Sequence, residues 1–373
     1  MTQPARVGIL GASGYTGGDL VRLLARHPHV EIVLLTAERR AGQPIGDVFP
    51  HLSGLGLPDM IALDEVEWPA VELDAVFCAL PHATSQAVIR GLMHDTGHTL
   101  LEEFVAEGPD DLADSFTGQA RIIDLSADFR LRDVATYARW YGRDHQAADL
   151  QKKAVYGLPE LYRDQIRSSH LVACPGCYPT AALIGLAPLL EAGLITPDGI
   201  TIDAKSGASG AGRGLKDHLL FAELNEGFKP YGVGHHRHMP EIEQELSRAA
   251  GGDVTISFTP HLVPMNRGQL ETIYVTLAED RSVDDLRAYL IDRFSDEPFV
   301  HVLREGQVPN TSGVKGSNMC HINVFADRIQ GRAIVVSAID NLVKGSSGQA
   351  IQAMNLMLGY EEKCGLEQVA LFP

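Results

Sequence analysis

The chain has 373 residues, of which 45% are hydrophobic and 21% charged, ordinary proportions for a soluble globular enzyme of two domains. Its formal net charge of −17 argues against a nonspecific nucleic-acid surface and requires local basic residues wherever a small anion binds. The apolar runs fall far short of the ~20 residues that span a bilayer, and Met1-Thr2-Gln3-Pro4-Ala5-Arg6 lacks signal-peptide architecture, so a cytoplasmic protein is expected.

Residues 6–10 (Arg-Val-Gly-Ile-Leu) read as a buried parallel strand, followed by Gly11-Ala12-Ser13-Gly14-Tyr15-Thr16-Gly17 and a helix over 18–27. Strand, Gly-x-x-Gly-x-x-Gly turn and helix form the first crossover of a dinucleotide-binding domain, whose glycines let the backbone approach a pyrophosphate. A second strand over 30–36 arrives at the expected distance. At its end stand Thr36-Ala37-Glu38-Arg39-Arg40. A carboxylate there pairs with the ribose 2′-hydroxyl, whereas cations accept a 2′-phosphate. Two arginines in an acidic chain point to NADP; the alternative is a pair of solvated surface charges.

A further buried strand covers 74–80 and leads to Pro81-His82-Ala83-Thr84-Ser85, at the strand end where α/β ligands bind. His82 either lines the nicotinamide pocket or only closes the loop. Residues 88–120 exceed what one helix needs, and Gly108-Pro109-Asp110-Asp111 within them reads as an acidic surface excursion. A strand returns at 121. Arg130, close behind it, is either a phosphate clamp or an ion-pair partner of Asp124 or Asp128.

Residues 156–161 read as a turn and 170–173 as a strand entering Cys174-Pro175-Gly176-Cys177-Tyr178-Pro179-Thr180, with an apolar run over 181–190. Pro175 and Gly176 break what precedes them, and Pro179 suits a first helical turn. Cys177 therefore opens a buried helix, whose free N–H groups and dipole favour a thiolate over the ordinary ~8.5 thiol. It is the candidate nucleophile; the alternative is a small core residue. The cysteines (Cys78, Cys174, Cys177, Cys320, Cys364) are odd in number and scattered. Only Cys174 and Cys177 have CxxC spacing. Zinc would need further ligands, which lie about sixty residues on, and no thioredoxin-like context supports a redox pair.

A strand over 199–204 precedes the glycine-rich stretch from Lys205 to Gly214, read as a loop whose N–H groups bind an anion or the nicotinamide carboxamide. A plain linker would lack the interleaved Lys205 and Arg213. Next comes Tyr231-Gly232-Val233-Gly234-His235-His236-Arg237-His238-Met239-Pro240-Glu241-Ile242, with a helix from Pro240. Behind a nucleophilic cysteine such a cluster supplies the general acid/base; a metal site or a solvated turn are the alternatives. Strands over 253–258, 268–277 and 332–338 suggest an antiparallel sheet for the second domain, of the kind that supports a dimer face. A final helix over 341–358 is placed to close back over the cofactor domain.

Five motifs, running in order along nearly the whole chain, resemble the N-acetyl-γ-glutamyl-phosphate reductase family. They are Gly11-x-Ser13-Gly14-Tyr15-Thr16-Gly17, Pro175-Gly176-Cys177-Tyr178-Pro179-Thr180, Ser206 to Arg213, His236-Arg237-His238-x-Pro240-Glu241-Ile242 and Asp340-Asn341-Leu342-x-Lys344-Gly345. The resemblance implies an α/β fold: a Rossmann-type dinucleotide-binding domain plus an α+β catalytic and dimerisation domain of the aspartate-semialdehyde dehydrogenase type. The first domain spans 1–173, completed by a C-terminal helix over 341–373, and the second spans 174–340. The implied reaction is NADPH-dependent reduction of N-acetyl-γ-glutamyl phosphate to the 5-semialdehyde with phosphate release, the third step of arginine biosynthesis.

The same resemblance makes Cys177 the nucleophile and His238 the acid/base. It places Arg130, His236, Ser209, Arg213, Arg237 and Glu241 on the substrate. For NADP it implies Gly11, Ser13, Gly14, Tyr15, Thr16, Gly17, Thr36, Arg39, Arg40, Pro81, Ser206, Gly207 and Asn341. No metal is implied, and a homodimer or homotetramer acting on a small acyl phosphate is expected. Three features depart from the family pattern. Many members carry Asn or a nonpolar residue where Cys174 stands, many have Ser-Arg where this chain has Ala37-Glu38, and the 88–120 stretch is longer than usual. Rival readings are the same chemistry on a carrier-linked aminoadipyl phosphate or aspartyl phosphate, and a catalytically silent NADP-binding regulator. The charge of −17 disfavours an acidic carrier, and the intact Cys177 and histidine cluster disfavour a silent regulator.

Overall fold

The computed structural model describes residues 3–81, 84–94 and 120–372. The chain divides into two compact units, Met1–Pro175 with Ser347–Leu366, and Gly176–Ser346 with Glu367–Pro373. Among the described residues no helix is long and apolar enough to cross a membrane.

In the first unit β1 (Ala5–Leu10), β2 (Val30–Thr36), β3 (Met60–Ile61), β4 (Ala75–Cys78), β5 (Arg121–Asp124), β6 (Val155–Tyr156) and β7 (Leu171–Ala173) form one sheet. Its order is β3-β2-β1-β4-β5-β7-β6, and all the pairings are parallel. β4 is buried along its whole length, as expected of a strand covered on both faces. The order reverses at β1, so the carboxyl ends of β1 and β4 flank the topological switch point where such sheets bind ligands. The helix Gly348–Leu358 returns from the far end of the chain to this unit. Its Gln352 donates to Glu160, its Asn355 pairs with His27 at 3.0 Å, and the Arg163–Glu362 ion pair at 2.9 Å holds the segment behind it.

The second unit is built on β8 (Thr201–Gly207), β9 (Lys229–Pro230), β10 (Ser257–Val263), β11 (Gln269–Thr276), β12 (Val300–Val302), β13 (Cys320–Ala326) and β14 (Arg332–Ile339), in the order β12-β13-β14-β11-β8-β10-β9. This sheet is mixed rather than antiparallel. β8 pairs with β10, and β12 with β13, in parallel, because a long connection returns the chain to its starting edge in the same direction. For β8 and β10 that connection contains the helix Met239–Ala250. The helices Cys177–Glu191 and Val283–Arg293 also pack against the sheet.

Several boundaries differ from expectation. The first helix runs Tyr15–Leu24 rather than 18–27, because Gly14 already serves as its cap. Residues 156–161 are not a turn: Pro159 opens the helix Pro159–Ser168. The Lys205–Gly214 stretch is only partly loop, since β8 continues through Gly207 and Ala208–Ala211 forms a 3-10 turn. The last helix begins with a π turn, Val343–Ser347. The helix Val283–Arg293, which has no counterpart in the sequence reading, is started by a capping box between Ser282 and Asp285. His82 and residues 95–119, most of the long 88–120 stretch, lie outside the described residues.

Candidate active site

Gly176, with φ −66° and ψ 158°, caps the helix Cys177–Glu191, and Cys177 is its first residue. Every side chain from Tyr178 to Leu190 is buried, while Cys177 is only half-buried. Cys174, three residues earlier, is buried, and burial pushes its thiol pKa up. The Cys177 peptide is gripped on both sides. Gly176 N–H donates to Glu241 Oε1 at 2.9 Å, and the Cys177 carbonyl accepts from Gln269 Nε2 at 2.9 Å. A third neighbour explains a glycine of the last motif: a Cβ on Gly345 would lie 2.7 Å from Cys177 Cβ.

The histidines approach from a segment that hooks onto the edge of the sheet through β9. Tyr231 N–H donates to Pro260 O at 3.0 Å, and its hydroxyl pairs with that of Tyr178 at 2.9 Å. The His236 ring packs edge-on against Tyr178, Tyr231 and His238 and at a steep tilt against Phe258, with centroids 4.8–5.7 Å apart. Burial, with the Arg237 charge adding to it, pulls His236 down to a pKa of about 4, so the ring is neutral at physiological pH. Its Nδ1 accepts from His238 N–H at 3.1 Å, which leaves Nε2 as the protonated nitrogen. The His238 imidazole lies against Gly176, where a Cβ would overlap it. His238 caps the helix Met239–Ala250, and Glu241 stands in the first turn of that helix. One carboxylate thus ties the residue before the thiol to the helix that carries the imidazole. A thiol at a helix N-terminus with an imidazole against the preceding residue can perform nucleophilic and acid–base chemistry.

The other expected site residues fall into three groups. Asn341 is a brace: its Oδ1 accepts from Gly268 N–H at 2.8 Å, and its Nδ2 donates to Ser209 Oγ at 3.0 Å. Ser206 and Gly207 are buried at the end of β8, and a Cβ on Gly207 would stand 2.8 Å from the Met265 carbonyl. Arg213 and Arg237 are exposed, whereas Glu241 is 1% exposed. In the first unit Arg130 is buried, and its guanidinium reaches main-chain carbonyls, Nε to Cys174 O at 2.7 Å and Nη2 to Leu125 O at 3.1 Å. Its charge also reaches Asp124, but burial outweighs it and pushes that carboxyl up to about 7.

The glycine turn of the first unit fits a pyrophosphate. Gly11 has φ +85°, and a Cβ there would lie 2.5 Å from the Ala79 carbonyl. Thr36 is buried and holds the turn, accepting from Gly11 N–H at its Oγ1 and from Ala12 N–H at its carbonyl. The turn ends at Gly14, so Tyr15, Thr16 and Gly17 form the first helical turn, whose N–H groups favour an anion. Ser13 and Tyr15 are partly exposed beside it, and Pro81 is exposed in the loop that follows β4. Glu38 accepts from Leu63 N–H at 3.3 Å, while Arg39 and Arg40 are exposed. Among the described residues no group of His, Cys, Asp and Glu side chains is placed to hold a metal.

Residues 6–101 match the family model for the semialdehyde dehydrogenase NAD binding domain, and residues 177–341 match that for the semialdehyde dehydrogenase dimerisation domain. The N-acetyl-gamma-glutamyl-phosphate reductase of Rhodospirillum rubrum is 54% identical over 373 residues, covering 100% of both chains. That of Afipia carboxidovorans is 53% identical over 371 residues, covering 100% of this chain and 99% of the relative. The chain belongs to the N-acetyl-γ-glutamyl-phosphate reductase family. A probable chloroplastic N-acetyl-gamma-glutamyl-phosphate reductase of Arabidopsis thaliana is 52% identical, covering 99% of this chain and 85% of the relative. Among solved structures, aspartate semialdehyde dehydrogenase II of Vibrio cholerae superposes with a TM-score of 0.68 at 15% identity, covering 96% of this chain and 99% of that one. Aspartate semialdehyde dehydrogenase of Candida albicans, crystallised with NADP, gives 0.63 at 18% identity, covering 95% and 99%. At such identities the likeness is one of fold.

In this member of the N-acetyl-γ-glutamyl-phosphate reductase family, four polar side chains near Cys177 carry no role in the sequence reading: Tyr178 and Tyr231, which stand inside its motifs, and Gln269 and Glu271, which stand outside them. Gln269 and Glu271 carry a signal. They stand in phase with Ile273 and Val275 on the alternating strand β11, so they face the core.

Proposed function

We propose that this chain reduces N-acetyl-γ-glutamyl phosphate to N-acetyl-L-glutamate 5-semialdehyde with NADPH and releases phosphate, the third step of arginine biosynthesis. The observation that carries the reading is full-length identity of 53–54% to reductases of that name, combined with an intact Gly176-Cys177 helix start and histidine segment. The first unit is read as the NADP-binding domain and the second as the catalytic and dimerisation domain, in a cytoplasmic homodimer or homotetramer.

In this mechanism the Cys177 thiolate attacks the γ-carbonyl carbon, the carbon–oxygen bond to phosphate breaks, and a thioester remains on Cys177. The Gly11–Gly17 turn would hold the pyrophosphate of NADPH and Arg39 and Arg40 its 2′-phosphate, and the cofactor would supply the hydride that reduces this thioester. The resulting thiohemiacetal collapses to aldehyde and Cys177 thiolate, with His238 transferring the proton. His236, neutral and enclosed, holds the His238 backbone rather than exchanging protons itself. The N–H groups of Gly207, Ala208 and Ser209 are spent on the carbonyls of Gly268, Met265 and Asn266 rather than on the departing phosphate, and Arg213 or Arg237 holds the substrate α-carboxylate. Arg130 shapes the approach to the cysteine turn by holding the Cys174 carbonyl.

The test is phosphate-dependent reduction of NADP by N-acetylglutamate semialdehyde, run beside aspartate semialdehyde and beside NAD. Turnover is expected with the acetylated substrate and NADP. Turnover with aspartate semialdehyde alone would overturn the substrate assignment.

A further inference from the structure

β11 turns Gln269 and Glu271 to the core face, and both are fully buried. Gln269 Nε2 donates to the Cys177 carbonyl at 2.9 Å and to Glu271 Oε1 at 3.2 Å. The orientation of the amide is fixed by its neighbour, since reversing it would set its oxygen against a carbonyl oxygen. The bond falls on the residue that carries the thiol, in the first turn of the helix, whose N–H groups have no partner within the helix. Glu241 on Gly176 N–H and Gly345 under Cys177 Cβ close the other sides.

We propose that Gln269 is a positioning residue for the Cys177 thiol, supported from behind by Glu271 as a neutral carboxylic acid. A fully buried carboxylate needs a cation or several donors to stay ionised. The donor to Glu271 is an amide, and Glu271 Oε2 has no hydrogen-bond partner among the described residues. Lys205, the cation whose charge reaches Glu271, is engaged by Asp203 at 2.6 Å. Burial accordingly holds Glu271 well above the usual carboxylate range. Oε1 accepts from Gln269, so the proton resides on Oε2. In this neutral state the acid fixes the amide without introducing a negative charge beside a thiolate.

The inference rests on Cys177 being the nucleophile, and half of its test needs no substrate. Alkylation of Cys177 by iodoacetamide at pH 7 is followed on its own peptide by mass spectrometry, because Cys364 is also half-buried. Steady-state kcat and KM are measured alongside. Gln269→Met, close in size but without the donor, is expected to slow both alkylation and kcat about five- to tenfold, the worth of one net hydrogen bond. KM for NADPH stays within about twofold of wild type. Glu271→Leu reproduces the loss, and Glu271→Gln, a neutral isostere, restores most of it. Wild-type alkylation in folded Gln269→Met would overturn the proposal. So would a Glu271→Gln chain as impaired as Glu271→Leu, since an ionised carboxylate would then be required. If Gln269→Met does not fold, the Glu271 pair decides. Should the alkylation pattern hold while N-acetylglutamate semialdehyde is not turned over, the positioning role stands and the substrate assignment falls.

Discussion

Cys177 and Cys174 share a turn and differ in everything that governs a thiol. Cys174 is buried, and the loss of solvation holds it protonated; Cys177 opens a helix and is partly accessible. Cys177→Ser is therefore expected to abolish reductase activity with an unchanged melting temperature. Cys174→Ala is expected to retain activity within about twofold and to lose about 1 kcal/mol in a urea titration. Gly345 makes a sterically defined test, because an added methyl would lie 2.7 Å from Cys177 Cβ. Gly345→Ala should lower kcat at least about tenfold, the scale of a small misplacement of a reacting group, and wild-type kinetics would show that the Cys177 turn yields. Glu241→Ala removes the acceptor of a buried N–H, so a cost of about 1–3 kcal/mol is expected on unfolding, together with a fall in kcat.

At the scale of elements, the sequence motifs were legible where local rules decide. Gly11 to Gly17 and Pro175 to Pro179 announce a turn and a helix start through backbone geometry alone, and both are found there. The direction of β10 against β8 was not legible, because it depends on which edge the Met239–Ala250 crossover returns to. Gln269 and Glu271 were missed for a related reason. Their neighbours across the sheet, Ser206 and Ile339 for Gln269, exist only once register is set. The Tyr178–Tyr231 bond belongs here too, since it holds an exposed segment to the nucleophile helix. Tyr231→Phe should lower kcat about fivefold, one net hydrogen bond, without altering KM for NADPH; a change confined to KM would contradict that role. In the first unit, Asp124 is buried at the end of β5 and its pKa is raised from 3.8 to about 7. A carboxyl with a raised folded pKa contributes stability that is complete below its unfolded pKa and is lost as pH rises through the folded one. Wild type should therefore lose more melting temperature than Asp124→Asn between pH 4 and about 7, and equal slopes would show that Asp124 is ionised throughout.

Over the whole molecule, two seven-stranded sheets among the described residues divide the work, one parallel with its ends open to a dinucleotide, one mixed and carrying the nucleophile helix. Overall class and family were legible because the motifs follow one another in order through both. The cofactor preference was less so, since Glu38 and Arg39-Arg40 pull in opposite directions in sequence. In the structure Glu38 is engaged by Leu63 N–H and the arginines are exposed, which favours a 2′-phosphate. Replacing both Arg39 and Arg40 by Ala should raise KM for NADPH about tenfold or more, the worth of charge-assisted bonds, and leave NADH kinetics unchanged. Central to the account is covalent catalysis at Cys177, and it is tested most directly by mixing enzyme, NADP and N-acetylglutamate semialdehyde without phosphate. The expected result is a burst of NADPH close to the enzyme concentration, with an acyl group on the Cys177 peptide that leaves when phosphate is added. Hydride transfer without an acylated Cys177, or acylation of a different residue, would contradict it.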